Sequence, residues 1–330
     1  MVGEFYGTLR AGYEASALDR LGDVARRLLR GYRRACRPRF ALAAGFPSLL
    51  DLLQESRAGK MVTLPFDKTQ STNTAGATFS YWGVGAYPTA GVAATKASAA
   101  AGVQLTKASA GAFQQLPLVK SGDQLHFVDG WCQNVGAAAS ILLYDRLWQC
   151  DPTLSKSNLD VFDAGNVPRY QSAVDGEWQE ARGNFVGVDV SVTLAATAHN
   201  ANIEYTNQAG TTGKLTSATG ISGCVAGRVD MASSTPQWFM NLIDNDTGVK
   251  ELTGAGVSAI LGSGAMWYFI GHPIAWMPSM HAVLATRLEG LHSALNLARV
   301  ADDACLAMLH VARISGSQSA TRGAFRLVSG

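Results

Sequence analysis

The residues of this chain that could do chemistry fail, one group after another, on spacing. The nearest approach to a phosphate-binding loop lies in residues 202–220, NIEYTNQAGTTGKLTSATG. Such a loop needs a glycine five residues before its Gly-Lys pair, and a Ser or Thr after the lysine to ligate magnesium. Here the pair is Gly213-Lys214, Gln208 stands five residues before it, and Leu215 follows. Both positions fail. Ile203 and Tyr205 alternate with Glu204 and Thr206 as on a half-buried strand, and Asn207, Gly210 and Gly213 are turn formers. The stretch therefore reads as a β-hairpin.

Metal, acid–base and nucleophile chemistry fare no better. The six histidines, His126, His199, His272, His281, His292 and His310, form no H-x-x-x-H or H-E-x-x-H pair. The serine frame G-x-S-x-G is missing around GISGC and GSQSA, and no G-x-G-x-x-G opens a helix. Asp244-Asn245-Asp246-Thr247-Gly248 places two carboxylates at i and i+2, as calcium loops do, but the twelfth position from Asp244 is Ala255 rather than a glutamate. A β-turn uses the same residues. No cofactor, no metal and no enzymatic activity are expected.

Two binding chemistries remain open. The seven tryptophans could form a carbohydrate platform, and carboxylates such as Asp175 and Glu177 could pair across a cleft. A retaining glycosidase would need that pair roughly 5–5.5 Å apart, and nothing in the spacing places it. Burial of the tryptophans in a core or subunit contact is the expectation. The second chemistry is electrostatic. Residues 1–40 hold nine arginines against four acids, whereas the rest of the chain is slightly acidic within a net charge of +2. Arg26, Arg27, Arg30, Arg33, Arg34 and Arg37 are the candidates for touching nucleic acid or an acidic neighbour, the alternative being a solvated helix face.

The elements that carry these residues divide the chain in three. Residues 1–60 read as a basic helical region: Leu18, Leu21, Ala25, Leu28, Leu29 and Tyr32 recur at helical spacing, and Ser48 caps a second helix that Gly59 ends. Residues 61–118 read as an extended arm rich in small residues, with TKASA occurring twice. Residues 119–330 read as a β-rich body. QLHFVDGWCQN, ASILLYDRLWQC, GVDVSVTLAAT, ANIEYTNQ, GCVAGRVDM, WFMNLI, VKELTGAGVSAI and AMWYFIGHPIAW are its strand candidates, parted by turn clusters. Val190, Val192 and Leu194 should share one face. Near the end, Leu284, Leu288, Leu291 and Leu295 have helical spacing, while CLAMLHVARI and GAFRLVSG read as strands. The fold class is mainly β, a sandwich or jelly-roll-like body with a helical basic N-terminal region and an extended arm.

Composition bounds the setting. Charged residues are 16% of the chain, below the roughly 25% usual in soluble domains, which suits a surface covered by neighbours. No apolar run reaches membrane-spanning length and no secretory leader is visible. Five scattered cysteines write neither a zinc site nor a disulfide framework, so reduced thiols and cytoplasmic synthesis are expected.

The basic N-terminal helices, the small-residue arm and the β body with LHFVDGWCQNVGAAASILLYDRLW and IEYTNQAGTTGKLTSATG together resemble structural proteins of tailed-bacteriophage virions. The resemblance covers mainly residues 120–280. It implies a non-enzymatic virion protein that self-assembles, capsid-associated as a decoration, cement or shell component, with a tail or baseplate component as the alternative. Its implied partners are copies of itself and other virion proteins, and packaged nucleic acid at the N-terminal arginines, with no membrane. A β-sandwich that binds or cleaves carbohydrate is the competing class.

Overall fold

ASILLYDRLWQC forms strand β5 (Ala139–Cys150), which is buried at every position. A strand buried on both faces must be covered on both sides, and the architecture follows from how that is done. The computed structural model describes residues 54–92, 102–113, 123–134, 138–151, 160–171, 181–196, 200–216, 219–221, 224–229, 238–258, 263–278, 285–289, 298–313 and 315–330. All belong to one compact unit, residues 44–330. The helix expected over residues 16–32, the arginines at 26–37 and the first TKASA copy lie outside the described residues.

Three antiparallel sheets are present among the described residues. The first runs β1 (Met61–Asn73), β16 (Gly316–Ser329), β4 (Leu125–Asn134), β13 (Ala285–Glu289), with β14 (Arg299–Val300) also on β4. The second runs β2 (Thr78–Ser80), β15 (Leu306–Ala312), β5, β12 (Ala265–Pro278), β7 (Phe185–Val192), with β3 (Val103–Gln104) on the end of β5. A third, smaller sheet runs β10 (Thr219–Gly220), β8 (Asn200–Asn207), β11 (Val249–Val257), β6 (Asp160–Asn166), with β9 (Lys214–Leu215) on β8.

Eight of these strands carry the topology. Counting β1, β2, β4, β5, β12, β13, β15 and β16 as first to eighth, the first sheet reads 1-8-3-6 and the second 2-7-4-5. First pairs with eighth, second with seventh, third with sixth and fourth with fifth, as in one long antiparallel hairpin. Rolling that hairpin over brings eighth beside third and seventh beside fourth, which closes both sheets. This is the eight-stranded jelly roll. Residues 151–264, between the fourth and fifth strands, form an insertion that adds β7 to the second sheet and builds the third sheet.

The two faces of β5 explain its composition. Ile141, Leu143 and Leu147 enter the principal core with Leu64, Phe127, Met308, Phe325 and Leu327. Leu142 and Tyr144 point the other way, into a second cluster with Trp82, Leu105, Phe185, Phe269 and Leu309. Trp82, Leu105, Ala112 and Val229 thus cover the outer face of the second sheet, and that covering lets a strand buried at every position occur here.

The structure corrects some of the expectations and bears out others. The start of the expected arm is extended but not free: Met61–Asn73 pairs along its length with β16 because Leu64 and Phe66 belong to the core. The second TKASA copy is a turn closed by the Thr106 and Ser109 hydroxyls, which accept from Ala108 N–H and Thr106 N–H. Leu288 lies in strand β13, not a helix, because β4 offers Gly130 as its partner. Val190 and Leu194 are buried, but Val192 is 55% exposed, since it stands at the end of β7 beside a register shift against β12. The described parts of GCVAGRVDM and WFMNLI are irregular: Met240 N–H reaches Val186 O, and Arg228 forms one isolated bridge to Phe79. CLAMLHVARI and GAFRLVSG hold strands β15 and β16.

Candidate functional site

Among the described residues, buried polar networks and an open cleft are places where chemistry could reside. The first network begins with Arg146, which is fully buried on β5. Its Nε donates to Gln149 Oε1 (3.0 Å) and its Nη1 to Asp189 Oδ2 (3.2 Å) and Tyr144 Oη (3.2 Å). The guanidinium lies over the rings of Phe269 (4.2 Å) and Trp82 (4.9 Å). Ser80 Oγ donates to the same Asp189 oxygen, and Gln149 Nε2 to Val92 O. Burial raises the Asp189 carboxyl above its ordinary value, opposed by Arg146.

In the second network Arg169 grips Asp145 with two bonds, Nε to Oδ2 (2.9 Å) and Nη2 to Oδ1 (2.7 Å). Tyr170 Oη and Cys305 N–H also donate to this carboxylate. Every lone-pair direction of a buried anion is thereby answered within the protein. The third network staples the two main sheets together: Tyr81 Oη lies 2.6 Å from both His310 Nδ1 on β15 and Thr321 Oγ1 on β16, and Thr321 donates to Asn134 Oδ1 on β4. Burial pushes His310 down to about 4. Lys68, on β1, donates to Val84 O (2.8 Å) and Pro88 O (2.5 Å), and burial lowers it to about 8. These groups hold layers together.

The cleft has a volume of about 390 Å³ and lies at the edge of the second sheet, beside the third. Phe185 and Pro273 come from β7 and β12, and Trp238, Phe239 and Met240 from the irregular segment that follows. Gly183, Asn184, Asn241, Leu242, Asp246 and Thr247 complete it. Trp238 meets Phe185 edge-on at 4.8 Å and Phe239 at 4.9 Å, and lies 6.3 Å from Trp276 at an interplanar angle of 30°. Phe239 and Trp276 remain 38% and 39% exposed.

The polar side of the cleft is set by the hairpin that resembles a phosphate loop. Glu204 pairs with Leu215 and Tyr205 with Lys214 across it, and Gly210 and Gly213 take the positive φ its connection needs (83° and 70°). Asn207 acts through its side chain instead: its Oδ1 accepts from Ala209 and Thr211 N–H, and its Nδ2 donates to Asp246 Oδ1 at 2.7 Å. Tyr205 Oη donates to Asp246 Oδ2 at 2.8 Å. Gln208 Oε1 accepts from Thr247 and Gly248 N–H. Asp244 and Asn245 both adopt positive φ, as the turn reading of this pentapeptide requires, and Asp244 is paired to Lys214 at 2.6 Å. Below the cleft, His272 Nδ1 lies 2.8 Å from Asn184 Oδ1, the ring stacks on Tyr170 at 3.9 Å, and burial lowers it to about 4.

The six arginines Arg26, Arg27, Arg30, Arg33, Arg34 and Arg37, together with Asp175, Glu177, His199, His281 and His292, lie outside the described residues. Among the described residues no group of three His, Cys, Asp or Glu is placed to hold a metal ion, and Cys132, Cys150, Cys224 and Cys305 are buried. The tryptophans part company: Trp82 and Trp148 are core, whereas Trp131 is 44% exposed and Trp276 flanks the cleft. The polar network on β5 did leave a signal, an Asp-Arg pair inside a strand of mostly apolar residues. The cleft left none, since its aromatic wall comes from WFMNLI, which has the composition of a strand.

No family model matches the chain, and no curated protein matches it. Among solved structures, the chain is similar to the infectious bursal disease virus VP2 subviral particle, with 13% identity over 80% of this chain and 41% of that one, at a TM-score of 0.14. An unassembled pentamer of Washington University polyomavirus VP1 aligns with 11% identity over 82% of this chain and 96% of that one, at a TM-score of 0.18. The chain thus spans under half the length of the VP2 chain it matches. The jelly roll is given by the strand order itself.

Proposed function

We propose that this chain is a non-enzymatic structural protein of a virion, capsid-associated in a tailed bacteriophage, acting by self-assembly. The observation that carries the reading is the 1-8-3-6 and 2-7-4-5 strand order, an architecture common to viral capsid domains, lectins and cupins. The step from fold to role is an analogy, and two features of the chain favour the first of those classes. The low share of charged residues suits a surface destined for neighbours, and the arginine-rich start suits an acidic partner such as packaged nucleic acid. A lectin-like role alone gives no reason for that arginine run.

The experiment is light scattering of the purified chain at low and high salt, with electron microscopy of any large species, on the full chain and on a chain lacking residues 1–40. A defined oligomer or shell that the deletion dissolves, leaving a folded β body, supports the proposal. A monomer indifferent to salt and to the deletion overturns it. Closed shells or binding to a shell favour a capsid place, and rings or tubes a tail or baseplate place.

A further inference from the structure

We infer that the cleft between the second and third sheets is a binding site for a neutral sugar ring. This goes beyond the assembly reading and does not depend on it. A hexose has two unlike sides, a C–H face that stacks on aromatic rings and an edge of hydroxyls that needs acceptors and donors. The cleft offers both. Its apolar wall is Phe185, Trp238, Phe239 and Pro273, with Trp276 continuing the aromatic surface. Its polar side is Asn184, Asn241, Asp246 and Thr247.

Three further observations narrow the ligand. The volume, about 390 Å³, falls in the range of small-molecule sites. No lysine or arginine lines it, so phosphate, sulfate and acidic sugars find no countercharge there. The single carboxylate, Asp246, is held from behind by Tyr205 and Asn207, one bond to each oxygen, which leaves each oxygen a second acceptor direction for a ligand hydroxyl. Those donors also satisfy part of its charge, which favours a neutral polyol over a cation. The turn that presents it is pinned by Gln208, so the acceptor pair is in place before a ligand arrives.

The test is titration of the full chain with methyl glucosides, methyl galactosides, methyl mannosides and N-acetylglucosamine, read by tryptophan fluorescence and by saturation-transfer NMR. Tetramethylammonium and sulfate serve as probes of the other charge classes. The expected result is saturable binding of at least one sugar, weakened about tenfold or more by Asp246→Asn and by Phe239→Ala. Trp131→Ala, on the exposed side of the first sheet, should leave it unchanged. Trp238→Ala should abolish the fluorescence response; if that variant does not fold, the other two decide. Absence of saturation by every sugar, tighter binding of tetramethylammonium, or binding insensitive to both Asp246→Asn and Phe239→Ala would each overturn the inference. So would loss of oligomer on Phe239→Ala with no sugar effect, which would make the surface a contact between copies. The assembly proposal stands or falls separately, on particle size.

Discussion

Arg146 and Gln149 stand three residues apart on one strand and yet are hydrogen-bonded on the same face, at 3.0 Å. On a regular strand an odd spacing puts side chains on opposite faces. Against β12, Trp148 pairs with Ile270 and Arg146 with Gly271, so Leu147 is an extra residue on β5. The bulge turns Leu147 and Trp148 both to the principal core and returns Gln149 to the side of Arg146. Replacing Arg146 by Met should leave the Asp189 carboxylate buried without its cation and cost about 3–5 kcal/mol. The double variant Arg146→Met with Asp189→Leu should lose less than Arg146→Met alone. Urea unfolding of the three chains measures both numbers, and a double variant less stable than Arg146→Met would contradict the account.

Acid should weaken the fold. His272 and His310 are held near 4 by burial, against about 6.5 in the unfolded chain. Below about 6.5 the unfolded chain takes up protons that the folded one refuses, so stability present above that pH is lost as pH falls toward 4. The loss is on the order of 3 kcal/mol for each histidine at its limit. The raised carboxyls of Asp145 and Asp189 act in the opposite sense and offset part of it. Melting temperature followed from pH 7 to pH 4 should fall, and His272→Phe, which keeps a ring on Tyr170, should flatten that fall. An unchanged slope in the variant would assign the acid sensitivity elsewhere.

The turn beside the cleft should be loosened by one side chain. Gln208 Oε1 takes the N–H groups of both Thr247 and Gly248. Gln208→Ala should cost about 1–2 kcal/mol locally and speed hydrogen exchange at those two amides. Amides of β5 should keep their protection.

A single methyl group should disturb the arginine network from a distance. A Cβ on Gly187 would stand 2.4 Å from Phe269 Cζ, and Phe269 is the ring under the Arg146 guanidinium. Gly187→Ala should therefore cost about 1–3 kcal/mol, read by thermal melting, and more than an alanine at the open position Gly83.

The last strand in sequence should be indispensable. β16 lies between β1 and β4 and supplies Phe325 and Leu327 to the core. A chain stopped after residue 312 would expose two long strand edges at once. Expression of that truncation should give insoluble protein, whereas the chain lacking residues 1–40 should stay soluble.

Much of the strand content was legible because local pattern determines it. ASILLYDRLWQC, LHFVDGWCQN and AMWYFIGHPIAW are strands because β-branched and aromatic residues in short runs between turn formers have few other low-energy states. The hairpin after Asn202 was legible for the same reason, as were the two glycines that close it. The sequence alone thus determined a mainly β chain and the failure of its one phosphate-loop-like motif. Which strand meets which was decided only in three dimensions, because pairing such as β1 with β16 joins residues some 250 positions apart, and no local pattern encodes a partner. The same holds for the cleft. WFMNLI has strand composition, but only the packing of Trp238 against Phe185 and Trp276 makes it a wall, and only the hydrogen bonds of Tyr205 and Asn207 hold Asp246 on the opposite side.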